Sequence, residues 1–62
     1  MTHLKDTYTG GTHYWISYEN GLYIVKREGM EKAHDEFYGT YTQCCAWLDK
    51  KREANAEYDL NI

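Results

Sequence analysis

The side chains able to do chemistry in this 62-residue chain are two adjacent cysteines, three scattered histidines, and ten carboxylates set against seven basic groups. Cys44 and Cys45 are neighbours, and a bridge between neighbours closes a strained ring. No other cysteine is present to build an internal disulfide framework. Small secreted domains ordinarily rely on such staples, so the cysteine count points to a reducing, cytoplasmic setting. A thiol at a helix start can be activated for redox work, but no other feature of the sequence supports that role. The simpler role is one cysteine packed as a small apolar residue and its neighbour at the core edge. His3, His13 and His34 make no CxxC or HxxxH spacing with them, so neither a metal site nor a cofactor is expected.

Catalytic patterns are equally scarce. The chain has no GxSxG, no HExxH and no Gly-rich phosphate loop. Asp35 and Glu36 are consecutive, and on a strand consecutive side chains point to opposite faces, so they cannot work as a carboxylate pair. A non-enzymatic protein is the expectation. Net charge is −3, which offers no general attraction to phosphate or to anionic membrane. No apolar run approaches the roughly 20 residues that span a bilayer, and no signal-peptide pattern opens the chain. A chain of this length buries only about 60% of its unfolded surface, which supports one small core and one domain. Aromatic residues make up 16% of it, mostly tyrosine, and disordered segments are poor in such residues.

Local patterns then place the elements. Residues 1–11 show no period and end in Gly10-Gly11, which reads as a flexible leader. Residues 12–18, THYWISY, alternate and are rich in strand formers. Asn20-Gly21 follows, and then LYIVKRE over 22–28. An Asn-Gly pair between two such runs specifies a type I′ hairpin, because that turn needs positive φ at both central residues. The turn sets the register: Glu19 opposite Leu22, Tyr18 opposite Tyr23, Ile16 opposite Val25, Tyr14 opposite Arg27. One face then carries Tyr14, Ile16, Tyr18, Tyr23 and Val25, and is assigned to the core. Glu28 to Glu31 reads as a second turn. Residues 33–39, AHDEFYG, read as a further edge strand with Phe37 inward and His34, Glu36 and Tyr38 outward. From Thr40 the period turns helical, with Thr40 and Gln43 in capping-box spacing and Thr42 a competing N-cap. Tyr41, Cys44, Cys45 and Leu48 share one face, beyond which KKREANAEYD is polar. The expected fold is α+β, a two- to three-stranded antiparallel sheet with one C-terminal helix on one face, ββ(β)α. The domain runs over 12–58, with a frayed end at 59–62.

That architecture leaves one side of the sheet bare. Trp15, Leu22, Ile24 and Tyr38 meet there, with His13, Lys26 and His34 at the rim. An exposed apolar patch marks an interaction surface, and tryptophan and tyrosine are enriched at binding hot spots. The alternative is that the leader folds across this face with Leu4 and Tyr8 as cover. A homodimer through back-to-back sheets is the simplest self-association. Trp47 lies about 100° around the helix from Leu48, on the flank of Ala54 and Tyr58. It either packs over the sheet edge or serves as an anchor beside Lys50 and Lys51.

Two groups of small proteins are similar in the order of these signals. Leu22 to Gly29 and Thr42-Gln43 resemble a family of short bacterial strand-strand-strand-helix proteins. Phe37-Tyr38-Gly39-Thr40 through Ala46-Trp47 resembles, in shape, the arm-binding N-terminal domain of phage tyrosine recombinases, whose sheet enters the DNA major groove. That second resemblance implies a nucleic-acid reader. A reading sheet should present several Arg or Lys, yet Lys26, Arg27 and Lys32 stand here against Glu19, Glu28 and Glu36. The positions that carry lysine in the recombinase domain are Tyr41, Gln43 and the cysteines. The favoured expectation is a protein-protein interaction module of the kind common among phage and mobile-element accessory proteins, binding and modulating a host protein. DNA binding and a structural homodimer are the alternatives.

Overall fold

The computed structural model describes the backbone of residues 2–60 and the side chains of residues 4–54. Four strands and one helix follow in order: β1 (Thr2–Thr9), β2 (Thr12–Glu19), β3 (Leu22–Arg27), β4 (His34–Gly39) and α1 (Tyr41–Leu60). The strands form one antiparallel meander in the order β1-β2-β3-β4. The α+β architecture is as expected, and of the segment 33–39 His34–Gly39 is a strand, paired to β3.

Residues 1–11 need correction. Over Thr2–Thr9 they are a strand, not a leader, paired with β2 from Thr2 opposite Tyr18 to Thr9 opposite Thr12. Gly10 and Gly11 take φ of 60° and 77°, nearly the values of Asn20 and Gly21, at 52° and 79°. Both pairs are two-residue turns with positive φ throughout, which matches the right-handed twist of the strands they join. Gly-Gly therefore closes a hairpin here. A bulge at Lys5 and Asp6, between Leu4 and Thr7, breaks the alternation of β1. Lys5 adopts a φ of 41° to make it.

The β2/β3 register is the expected one throughout, from Tyr14 opposite Arg27 to Glu19 opposite Leu22. Beyond it, the Glu28 N–H donates to the His13 carbonyl at 3.0 Å, and the His13 N–H donates to the Glu28 carboxylate at 3.0 Å.

The core lies between the sheet and α1. Tyr14, Ile16, Val25, Cys44 and Leu48 are buried together, with Leu4, Tyr23, Phe37, Cys45 and Trp47 packed around them. Tyr18, expected in the core wall, sits at the end of that face and is largely exposed. It meets the Tyr23 ring at 4.8 Å. The helix begins through a full capping box. Thr40 N–H donates to Gln43 Oε1 at 3.0 Å, and Gln43 N–H donates to Thr40 Oγ1 at 3.1 Å. Thr40, rather than Thr42, is the N-cap. The helix docks through Cys44 to Lys51, and Arg52, Glu53 and Ala54 are exposed beyond it. Of the end expected to fray, residues 59 and 60 belong to α1, and 61–62 lie outside the described residues.

Candidate functional site: the open face of the sheet

Strand parity assigns the side of the sheet away from α1. His13, Trp15, Ser17 and Glu19 come from β2, and Leu22, Ile24 and Lys26 from β3. Tyr38 lies opposite Ile24, and Tyr8 opposite His13. A bulge between Val25 and Lys26 brings Asp35, not Glu36, opposite Lys26. Glu36 is thereby carried to the other side, where its carboxylate accepts from Arg27 Nε at 3.0 Å. The expectation that Glu36 faces outward with Tyr38 is corrected by that one extra residue, because a bulge inverts parity beyond it. His34 is likewise not at this rim; it pairs with Arg27.

The open face carries a continuous chain of polar contacts. Ser17 Oγ donates to Glu19 Oε2 at 2.9 Å. The Lys26 ammonium lies 3.2 Å from that same oxygen and 3.1 Å from Asp35 Oδ1. The Tyr38 hydroxyl closes the series on Asp35 Oδ2 at 2.6 Å. The belt thus ties β2, β3 and β4 together.

Beneath it sits Ile24, expected to be in water and in fact only 5% exposed. Ser17 and Tyr38 flank it on the neighbouring strands, and the Lys26 side chain, two residues along β3 on the same face, reaches past it to Glu19 with its own exposure reduced to 14%. Long cationic side chains cover apolar neighbours with their stems while the charged head finds partners. Ser17, opposite Ile24, is fully buried and satisfied by Glu19.

Each charge in the belt is held by its neighbours. The Ser17 hydrogen bond, then the Lys26 contact, lowers the Glu19 pKa. The Tyr38 hydrogen bond, then the Lys26 contact, lowers that of Asp35. Burial works against the Lys26 ammonium, but the bonds to Asp35 and Glu19 outweigh it and the net shift is upward. Tyr38 is raised by its bond to Asp35. On the helix layer, burial raises the Cys44 thiol, the opposite of what a reactive cysteine requires.

A second group lies alongside on β1 and β2. The Tyr8 ring stacks on His13 at 4.5 Å and 9°, and His13 meets Trp15 at 4.9 Å. Asp6, placed by the β1 bulge, bonds to His13 Nε2. The cover expected from the leader takes a different form. Leu4 packs into the core on the far side, while Tyr8 widens the open face and is itself exposed.

With His34 placed elsewhere, six of the other seven residues singled out from the sequence, Trp15, Leu22, Ile24, Tyr38, His13 and Lys26, share this face. Trp47 does not. It lies on the helix side between Tyr14, at 5.8 Å, and Phe37, at 6.3 Å. Lys51 Nζ stands 5.9 Å from its ring. Of its two roles in the sequence, packing over the sheet is the one the geometry gives it. Sequence reasoning missed Asp6, Glu19 and Asp35. Glu19 is accessible from parity alone; the other two depend on the bulges beside them.

No cluster of three or more His, Cys, Asp or Glu placed to hold a metal occurs among the described residues. Among them, too, no helix is long and apolar enough to cross a membrane. Compared with known protein families, curated proteins and solved structures, the chain matches none.

Proposed function

We propose that this is a small non-enzymatic protein-protein interaction module that works in the cytoplasm through the open face of its sheet. A phage or mobile-element accessory protein acting on a host protein is the setting that its small, acidic, tyrosine-rich character fits. The observation that carries the reading is the state of that face. Leu22 is 50% exposed and Tyr38 54% exposed, with Trp15 half-buried beside them. Tyr38 is also fixed in place by its bond to Asp35. Ordering a side chain before contact removes part of the entropy cost of binding.

The nucleic-acid alternative has less behind it. Lys26 is the one lysine or arginine among the described side chains of β2, β3 and β4 on that face, and two carboxylates engage it. Arg27 is paired with Glu36 on the other side. A face that meets phosphate first with Glu19 and Asp35 repels it. The homodimer alternative meets a similar obstacle, since a two-fold contact would press together two copies of a face on which these carboxylates are the more exposed charges.

Leu22→Asp tests the reading, because Leu22 is exposed and the substitution leaves the core untouched. Tagged wild type should retain a specific protein from extract of the native host, and Leu22→Asp should lose it while keeping the wild-type circular dichroism. Equal retention by the two proteins would remove the open face from the interaction.

A further inference from the structure

We propose that the occupant of the open face is an extended, arginine-bearing segment of a partner protein, held by Glu19 and Asp35 and stacked on Trp15 and Tyr38. This rests on the reading of the open face as a protein-docking surface and adds the chemistry of what docks.

Charge comes first. Asp6, Glu19 and Asp35 lie on this face, and the carboxylates outnumber the ammonium groups even when Lys5, which shares the β1 bulge with Asp6, is counted beside Lys26. Lys26 is largely covered, whereas the Glu19 and Asp35 side chains are 27% and 36% exposed. An approaching chain therefore meets the carboxylates rather than the ammonium. Like charge opposes an acidic partner, a nucleic acid and a second copy of this face.

The aromatic rings select among cations. Tyr8 and Tyr38 are exposed and Trp15 half-buried; Tyr38 is bonded to Asp35, and Trp15 stands across Lys26 from Asp35 along the register. A guanidinium is planar, stacks on such rings and offers a fork of donors to a carboxylate. An ammonium does neither as well, being a compact and strongly hydrated charge.

Size sets the shape of the occupant. Four strands of six to eight residues make a plate of about 400–500 Å² at ordinary strand spacing and rise. Two such plates pressed together stay below the roughly 1,200 Å² of buried surface typical of stable protein pairs. A short segment crossing the strands needs no more area than the plate provides.

The test uses the full-length isotope-labelled protein and three synthetic probes: a Gly/Ser-spaced arginine peptide, its lysine counterpart and its glutamate counterpart. Amide and indole NMR shifts are followed at about 0.02 M and about 0.15 M salt. The arginine peptide is expected to shift Trp15, Lys26, Asp35 and Tyr38, to bind about threefold or more tightly than the lysine peptide, and to leave the helix surface at Asp49 and Glu53 unmoved. Glu19→Gln should weaken it about tenfold. Asp6→Asn, at a more exposed site outside the belt, should weaken it less and keeps the test open if Glu19→Gln unfolds. Shifts spread over the helix, equal affinity for arginine and lysine, or an unaltered Glu19→Gln would overturn the proposal. A mass that rises with concentration and is abolished by Leu22→Asp would also overturn it, in favour of a second copy. If the arginine peptide fails while Leu22→Asp still loses the host protein, the arginine assignment falls and the docking face stands.

Discussion

The Lys26 ammonium stands 3.1 Å from the Asp35 carboxylate, joining β3 to β4 above a buried Ile24. That contact turns a bare sheet surface into an ordered one. Lys26 supplies an apolar stem over Ile24 as well as a charge, so two substitutions separate its roles. Lys26→Met keeps the stem and should cost about 1 kcal/mol, the range of a partly exposed ion pair. Lys26→Ala loses both and should cost about 2 kcal/mol. Urea denaturation reads the difference; equal costs would show that the stem contributes nothing.

The same belt fixes the pH dependence of stability. Glu19 and Asp35 lie below their ordinary values of 4.5 and 3.8 in the folded protein. Their contribution is present above those values and is lost as pH falls through the lower, folded ones. Lys26 and Tyr38 lie above their ordinary values of 10.5 and 10.0, so their contribution is present below those values and is lost as pH rises through the higher, folded ones. Thermal melts should be level between about pH 5 and pH 9 and fall on both sides. Lys26→Met should flatten the alkaline fall, and an unchanged profile in that variant would count against the belt.

Much of this was legible in the residues. Asn20-Gly21 and the alternation around it set the β2/β3 register, because turn geometry and the buried face demand the same pairing. Thr40 and Gln43 announced the helix start by their spacing. β1 was not legible, since Gly10-Gly11 suits a flexible segment as well as a turn, and the bulge at Lys5-Asp6 erases the two-residue period. The Lys26–Asp35 contact depends on a second bulge. An extra residue in a strand leaves no mark on composition, yet it exchanges Asp35 and Glu36 between faces. For that reason the patch was visible as apolar and its roof of charge was not.

The two turns should respond alike. Gly21→Ala puts a side chain at a φ of 79° and should cost about 1–2 kcal/mol. Gly10→Asn, at a φ of 60°, restores the preferred Asn-Gly pair. It should be neutral or stabilising by about 0.5 kcal/mol through reduced freedom of the unfolded chain. Melting temperatures decide both; a large loss in Gly10→Asn would contradict the hairpin at β1.

Gly39 supports the helix cap. A Cβ there would lie 2.6 Å from Gln43 Oε1 and 3.1 Å from Phe37 Cε2, so Gly39→Ala should swing Gln43 off the Thr40 N–H. The expected cost is about 1 kcal/mol, that of a lost capping contact. The cost should shrink markedly when measured in a Gln43→Ala background, and full additivity would place the clash elsewhere.

The docking claim itself is met most directly by site-specific photo-cross-linking in extract of the native host. The photoreactive residue p-benzoylphenylalanine replaces Leu22 on the open face in one protein and Arg52 on the exposed helix in another. An adduct with a single host protein from position 22, with none from position 52, is the predicted result. An adduct from position 52 alone would contradict it and move the interaction to the helix.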